Sequence, residues 1–385
     1  MALSKIDVAN MLTGEVPNAN VAKLPASKLE DVITFKNIII NGDMSIAQRS
    51  TSIASITSDG YYTLDRFTTE IGSFGTWTQS QASDAPTGQG FTKCLKMDCT
   101  TAQSSPSGAN VMLVGQSIEG NMLQAIKQGT ANAESTTLSF WHKHTKTGTN
   151  IVELLDADNN NAVSGSYTQS VSDTWEKATI TFPANTSGTY DNDNARSLRI
   201  RFIIGSGPDL TSGTLATTWQ TSITNANRYV GQVNNADSTS NNFIITGVQY
   251  EVGTSASDFE FLPYDVNLQR CHRYCLILGD APGGSEYDYA DDGVIGHYYN
   301  STDFYPNFFF PVPMRSTPGV SFSTTGSGLG DVSSQNTAKT GTSAGTNATS
   351  ATNINFRVST SSATQGSGGA FNFAANDYVI LSAEL

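Results

Sequence analysis

Residues 241–275 read NNFIITGVQYEVGTSASDFEFLPYDVNLQRCHRYC. In the first part of this stretch Phe243, Ile245, Gly247 and Gln249 fall on one side of an extended chain, and Ile244, Thr246, Val248 and Tyr250 on the other. Both sides are largely apolar, which predicts a strand covered on both faces. Gly253 ends it. Phe259, Phe261 and Tyr264 continue a second, shorter alternation, which Pro263 breaks. The stretch therefore divides the chain into one large β domain before residue 241 and a smaller one after Tyr264.

The totals agree with a β protein. The chain has 385 residues, enough for two or three domains, and only 14% of them are charged. Thr, Ser, Asn and Gly stand where Lys and Glu would otherwise be. Such residues suit turns and polar sheet faces and disfavour helix interiors. The formal net charge is −13, and no Lys/Arg cluster exceeds three residues. A nucleic-acid binder needs a basic stripe to displace counterions, so nucleic acid and anionic membrane are not expected partners. MALSKIDVANML has no long apolar core of a secretory signal, and no apolar run is long enough to span a bilayer. A soluble chain made in a cytoplasm is expected. Along a strand Cys94 and Cys99 face opposite ways, and Cys271 and Cys275 form a second loose pair. Buried free thiols are expected at all four positions.

Residues 1–36 differ from the rest. Residues 4–12 have the spacing of a short helix, and VPNANVAK (16–23) aligns with LPASKLED (24–31) as an eight-residue repeat. The prolines favour extended backbone. Val16, Val21, Leu24 and Leu29 have too few local partners for a core of their own, which predicts a segment that docks on other chains. From residue 37 to 265, strands are expected at 35–40, 62–70, 76–80, 91–97, 111–118, 137–144, 151–156, 177–182, 198–204 and 243–252. DADNNN (156–161) is read as a hairpin turn. Helix is expected only at 120–127, where Met122, Leu123 and Ile126 share a face. Regular strands without interleaved helices predict a sandwich. Residues 266–385 begin with NLQRCHRYCLIL and end with DYVILSAEL, both read as strands. Between them, residues 323–352 have the composition of a flexible linker or a long loop.

Few residues carry chemistry. A glycosidase needs two carboxylates facing across a cleft. The densest acidic cluster, Glu286, Asp288, Asp291 and Asp292, lies among turn residues and reads as a solvated loop. No GxSxG, HExxH or P-loop occurs. His142 and His144 have metal-like spacing, but Leu138 and Phe140 share their face, so the pair also reads as the continuation of a core edge. Trp141 then points the opposite way, toward a sugar if that face is open and into core if it is covered. A sugar needs flat aromatic surfaces together with amides and carboxylates. Trp219, Gln220, Asn227 and Tyr229, in the long polar connection 215–242, are of those types. Trp219 reads equally as a plug for the sandwich.

NIIINGDMSIAQRSTS (37–52), YTLDRF (62–67), GQSIEG (115–120), TLSFWHKH (137–144), TTWQ (217–220), GVQYEVG (247–253) and LPYDVNLQRCHRYC (262–275) resemble, in order and spacing, a carbohydrate-binding-module-like domain common in bacteriophage tail fibre proteins. Phe67 stands where such domains often have Trp, and Tyr250 where many have Leu. GEVPNANVAKLPASKL (14–29) is similar to virion-attachment segments of phage fibres. The resemblance implies an all-β chain: a docking segment at 1–36, a jelly-roll β-sandwich at 37–265 and a small C-terminal β domain at 266–385. It implies a virion protein assembled in the host cytoplasm, a homotrimer attached to other virion proteins through residues 1–36. Its implied partner is host-surface polysaccharide, bound without catalysis. Such domains also occur as purely structural virion parts, and phage fibres also include glycan-cleaving tailspikes. No cofactor is required. Domains of this kind often hold a structural Ca²⁺, for which Asp43, Asp98 and Glu251 offer oxygen ligands.

Overall fold

The alternating runs between residues 52 and 252 form eleven strands: β1 (Ser52–Ile56), β2 (Thr68–Ile71), β3 (Thr76–Ala82), β4 (Cys94–Thr101), β5 (Val111–Glu119), β6 (Thr136–His144), β7 (Gly148–Asp156), β8 (Asn161–Gln169), β9 (Glu176–Phe182), β10 (Arg196–Ser206) and β11 (Asn242–Val252). The computed structural model describes residues 35–280, 293–323, 329–334 and 337–385. The expected N-terminal helix and repeat, the acidic cluster and parts of the 323–352 stretch lie outside the described residues. The strands build two antiparallel sheets, ordered β1-β3-β4-β11-β6-β9 and β2-β5-β10-β7-β8. The chain passes repeatedly from one sheet to the other, and the result is a jelly-roll β-sandwich. DADNNN is the expected hairpin turn, with Asp156 paired to Asn161.

Inward side chains of both sheets make one core, in which Trp77, Phe140, Phe202 and Tyr250 are fully buried. The Phe140 and Phe202 rings meet edge to face at 5.0 Å. Burial of such a side chain contributes roughly 1.5–3 kcal/mol. β11 lies inside its sheet, between β4 and β6, and is covered on both faces as its sequence predicts. Its alternation is interrupted, however. The β11–β6 register shifts between Thr246 and Gln249, and Gly247 has φ +61°, which favours glycine. Beyond this bulge the faces exchange, so Val248 and Tyr250 join Phe243 and Ile245 in the core.

Local chemistry corrects several expected elements. Residues 35–40 are not a strand. The Asn37 carboxamide donates to Val248 O (3.1 Å) and accepts from Ile39 N and Tyr250 N, taking over bonds a ladder would make. Residues 62–67 form a turn, and the strand begins only at Thr68. The expected helix at 120–127 is two 3₁₀ turns, with Leu123 and Ile126 buried. Residues 254–263 contain no strand. NLQRCHRYC belongs largely to an α-helix, α1 (Tyr264–His272). Pro263 precedes it, Asp265 sits in its first turn, and Asn267 and Cys271 are buried four residues apart. It is the one α-helix among the described residues, and none of their helices is long and apolar enough to cross a membrane.

The remaining strands are β12 (Cys275–Gly279), β13 (Val294–Tyr298), β14 (Asp303–Phe309), β15 (Gly319–Phe322), β16 (Gly330–Ser334), β17 (Thr337–Thr340), β18 (Ser343–Thr349), β19 (Asn353–Ser359), β20 (Gly368–Phe373) and β21 (Tyr378–Ser382). They form sheets ordered β12-β21-β15 and β17-β16-β20-β13-β14-β19-β18 over a second core containing Phe304, Phe356, Phe371 and Leu381. The described part of the linker-like stretch thus contributes strands β16 to β18. Its small residues pair with the aromatic-rich β20 and with β19, and Val332 enters the core. Asn37–Leu385 is one compact unit, so the expected division near residue 265 lies inside it.

The two cores are joined by buried polar contacts. The Arg66 guanidinium lies 3.5 Å over the Tyr274 ring, donates to Ser117 O at 2.6 Å and pairs with Glu384. Arg49 reaches the same carboxylate at 3.3 Å. Gln48 Nε2 donates to Cys275 O at 2.8 Å. Arg273 grips the buried Glu119 at 2.8 and 2.6 Å, and the Tyr274 hydroxyl also donates to it. All four cysteines are buried and free.

Two predictions follow from these buried charges. Glu384→Ala leaves Arg49 and Arg66 buried without their carboxylate, and should lower stability by about 3–5 kcal/mol in urea unfolding. A loss below about 1 kcal/mol would mean that the pair does not hold the two cores together. The second concerns pH. Burial holds His142, His144 and His272 below the ordinary imidazole range, His272 at about 4. Below about 6.5 the unfolded chain takes up protons that the folded chain refuses, so stability present above that pH is lost as pH falls. Asp65 acts oppositely. Burial, against Arg49 and Gln48, raises its carboxyl to about 6, so folding gains there as pH falls. Burial raises Asp156 as well, but the imidazoles titrate across this whole pH range and outweigh the two carboxyls. The unfolding free energy should fall by roughly 2 kcal/mol between pH 7.5 and 5.5, and a flat profile would contradict the burial.

Candidate functional site

The outer face of the six-stranded sheet is half covered. The connection 83–93 crosses it: Thr246 Oγ1 donates to Lys93 O at 2.7 Å, and Phe91 lies against Gly247, where a Cβ would come within 2.6 Å of its ring. Phe259 and Phe261 pack on Phe91 at 4.9 and 5.0 Å. The β6–β9 half stays open. Trp141 stands there, half-buried, between Thr246 of β11 and Lys177 of β9. Alternation along β6 puts Lys143 on the same side, while His142 and His144 face inward.

A second indole completes this surface. Trp175, half-buried just before β9, donates from Nε1 to Asp84 Oδ1 at 3.1 Å. Lys143 Nζ donates to Asp84 Oδ2 at 2.9 Å and lies 3.5 Å from Asp173. Trp175 is two residues from Lys177, the partner of Trp141, so the two indoles are diagonal neighbours with Cα atoms about 7–8 Å apart. Burial opposes ionisation of Asp84, but the bonds from Lys143 and Trp175 outweigh it and hold its carboxyl below the usual range. The same carboxylate raises Lys143. The surface therefore offers two flat rings, a fixed carboxylate and two ammonium groups, Lys143 and Lys177, on two adjacent strands and the connection beside them. Sequence reasoning singled out Trp141 and missed Trp175. The signal was present: Trp175 has the parity of Lys177, Thr179 and Thr181, the exposed positions of β9.

The other candidates do not join this surface. Trp219 is half-buried against the sandwich core, and its Nε1 donates to Pro183 O at 2.8 Å. That packing agrees with the plug. Gln220 pairs through its backbone with Ala162, and its side chain accepts from Thr224 N at 2.7 Å. The Asn227 side chain accepts from Thr214 N at 3.0 Å. Tyr229 is 1% exposed, so it cannot be a ligand platform. Its hydroxyl donates to Glu153 at 3.2 Å, within an ionic network on the outer face of the five-stranded sheet. There Arg228 binds Glu153 through two bonds of 2.7 Å, Arg201 bridges Glu153 and Glu70 at 3.3 Å each, and Arg199 pairs with Glu70. Arg228 and Tyr229 lie over the sheet because Glu153 is fully buried and takes donors from them.

The proposed calcium ligands do not converge. Asp43 accepts from Ser45 and Asn267, Glu251 from Ser257 and Gln249, and Asp98 is paired with Lys96. Asp98 and Glu251 stand at opposite ends of β11, about 30 Å apart. No cluster of three His, Cys, Asp or Glu suited to a metal occurs among the described residues. His142 Nδ1 bonds Gln169 Oε1 at 2.8 Å. His144 Nε2 bonds the Tyr167 hydroxyl at 2.9 Å, and the His144 ring stacks on Phe243 at 4.0 Å, as core histidines do.

No protein-family model and no curated protein matches the chain. Among solved structures it is similar to the enzymatically active domain of bacteriophage CBA120 tailspike protein 4, at 16% identity and a TM-score of 0.30, over 56% of this chain and 21% of that one. The chain thus spans about a fifth of that domain's length. It is also similar to a sugar-binding protein described from Bacteroides thetaiotaomicron, at 12% identity and a TM-score of 0.31, over 56% of this chain and 99% of that one. A third similar structure is the carbohydrate-binding module TmCBM61 in complex with β-1,4-galactotriose, at 11% identity and a TM-score of 0.26, over 57% of this chain and 99% of that one.

Proposed function

We propose that the chain binds glycan without cleaving it, through the open half of the outer face of the six-stranded sheet. The observation that carries this reading is the pair of half-buried indoles, Trp141 and Trp175, on one face with Asp84 and Lys143 fixed beside them. The CH-rich face of a sugar rests on an indole, and its hydroxyls exchange hydrogen bonds with the carboxylate and the ammonium groups. Asp84, the carboxylate on this face, is engaged by Lys143 and Trp175 and held below the usual range, which supports binding rather than general-acid hydrolysis. The sequence motifs between residues 37 and 275 support a place for the chain in a phage virion, as a homotrimeric tail-fibre subunit recognising host-surface polysaccharide. Residues 1–36 would dock it on other virion proteins.

A second reading, a purely structural virion part, draws on the fact that Asp84, Lys143 and Trp175 already satisfy one another. A glycan array probed with the full chain separates the two. The wild type should bind, and Trp141→Ala and Trp175→Ala should each weaken binding roughly tenfold. Trp219→Ala should leave glycan binding of the folded protein intact, and should cost about 2 kcal/mol of stability instead. A wild-type chain that binds no glycan leaves the structural reading. Release of reducing ends from a bound polysaccharide would overturn the non-catalytic assignment.

A further inference from the structure

The outward positions of β6 and β9 carry two charges, and both are ammonium groups, Lys143 and Lys177. The others are Trp141, Ser139 and threonines. The two lysines differ in what they meet. Lys143 is held by Asp84 and Asp173. Lys177 is exposed, and among the described residues no carboxylate pairs with it and no ring lies under it. The carboxylates nearest to it in the chain are committed elsewhere. Asp173 turns to Lys143, and Glu176 accepts from Ser170 N at 3.0 Å and Val171 N at 2.8 Å. Lys177 stands directly opposite Trp141, where Cβ atoms are about 5 Å apart, and two residues from Trp175. The one unengaged ammonium group on these two strands is therefore a neighbour of both indoles.

We infer that the glycan bound on this face is an acidic one, and that Lys177 is the residue that selects its anionic group. The inference rests on the glycan-binding reading above and adds the class of sugar. A sugar lying on Trp141 brings its rim substituents over the neighbouring strand, where Lys177 stands. A hydroxyl there gains an ordinary hydrogen bond. A carboxylate or sulfate gains a charge-assisted one, about twice as strong. The opposite side of the face also sets the direction. Asp84 is already bonded by Lys143 and Trp175, so an anionic group placed there meets a fixed negative charge. Toward β9, the edge strand, the outward positions hold Lys177, Thr179 and Thr181 and no carboxylate. The charge of the whole chain sharpens the choice. At a formal −13 it repels a polyanion, which can settle only where an unengaged cation receives it. A lysine on an edge strand also guards against strand pairing, but that role is indifferent to the charge of a sugar.

An array of matched glycans, probed with the full chain, tests the inference. It carries uronate and sulfated glycans beside their carboxyl-reduced and desulfated counterparts. The wild type should bind acidic members roughly five- to tenfold tighter than their neutral counterparts. Most of that difference should vanish as salt is raised from about 0.1 M to about 1 M. Lys177→Gln should remove the preference, and Lys177→Arg should keep it, both with an unchanged melting temperature. Which matched pair shows the difference tells carboxylate from sulfate. Equal binding of acidic and neutral members, unaltered in Lys177→Gln, overturns the inference and leaves the glycan reading standing. An acidic preference that survives Lys177→Gln overturns Lys177 as its source. A wild type that binds no member of the array overturns the glycan reading and this inference with it.

Discussion

A single buried guanidinium conditions the rest of this structure. Arg66 is 1% exposed and takes a left-handed backbone, φ 72°, which turns its side chain into the protein. A buried charge costs several kcal/mol unless it is paired and hydrogen-bonded. Its partners come from three places: Ser117 O on β5, the Tyr274 ring after α1, and Glu384 beyond β21. The sandwich, the helix end and the last strand must therefore be in position together. This requirement accounts for two β assemblies with separate cores forming one compact unit.

What the molecule can bind follows from which sheet faces packing leaves open. The outer face of the five-stranded sheet is closed by the connection that carries Arg228 and Tyr229, because Glu153 beneath it is fully buried and takes its donors from there. The outer face of the six-stranded sheet is crossed at β11, where Gly247 lets Phe91 approach, and Asp84 of the same connection reaches Lys143 on β6. Trp141 and Trp175 remain on the half beyond. The same residue types thus have opposite fates. Tyr229, in a polar connection, is core, while Trp141, in a strand, is surface.

Much of the sandwich was legible because its strands obey the two-residue period. The runs at 111–118, 137–144 and 198–204 lie within β5, β6 and β10. Misreadings cluster where a side chain or a glycine intervenes in the ladder. Asn37 replaces backbone bonds at 35–40, and Gly247 inserts a residue into β11. α1 was read as strand because its buried side is marked by Asn267 and Cys271 rather than by large apolar residues. The low-complexity stretch was read as linker because a strand of Ser, Gly and Thr has no apolar signature of its own. β18 is held by its pairing with β19.

By itself the sequence determined the all-β class, the sandwich, the covered strand at 243–252 and the inward His142 and His144 beside an outward Trp141. These are local properties, set by periodicity and residue type. Tertiary structure alone decided which faces are open, that Trp219 packs against the core, that Trp175 stands diagonal to Trp141, and that Asp43, Asp98 and Glu251 lie apart. The reason is physical. A strand's period assigns a side chain to one of two faces, but whether that face is core or surface depends on what distant chain crosses it. Residues 83–93 over β11 and Glu384 against Arg66 are such crossings, and neither is written in the local pattern of the residues it covers.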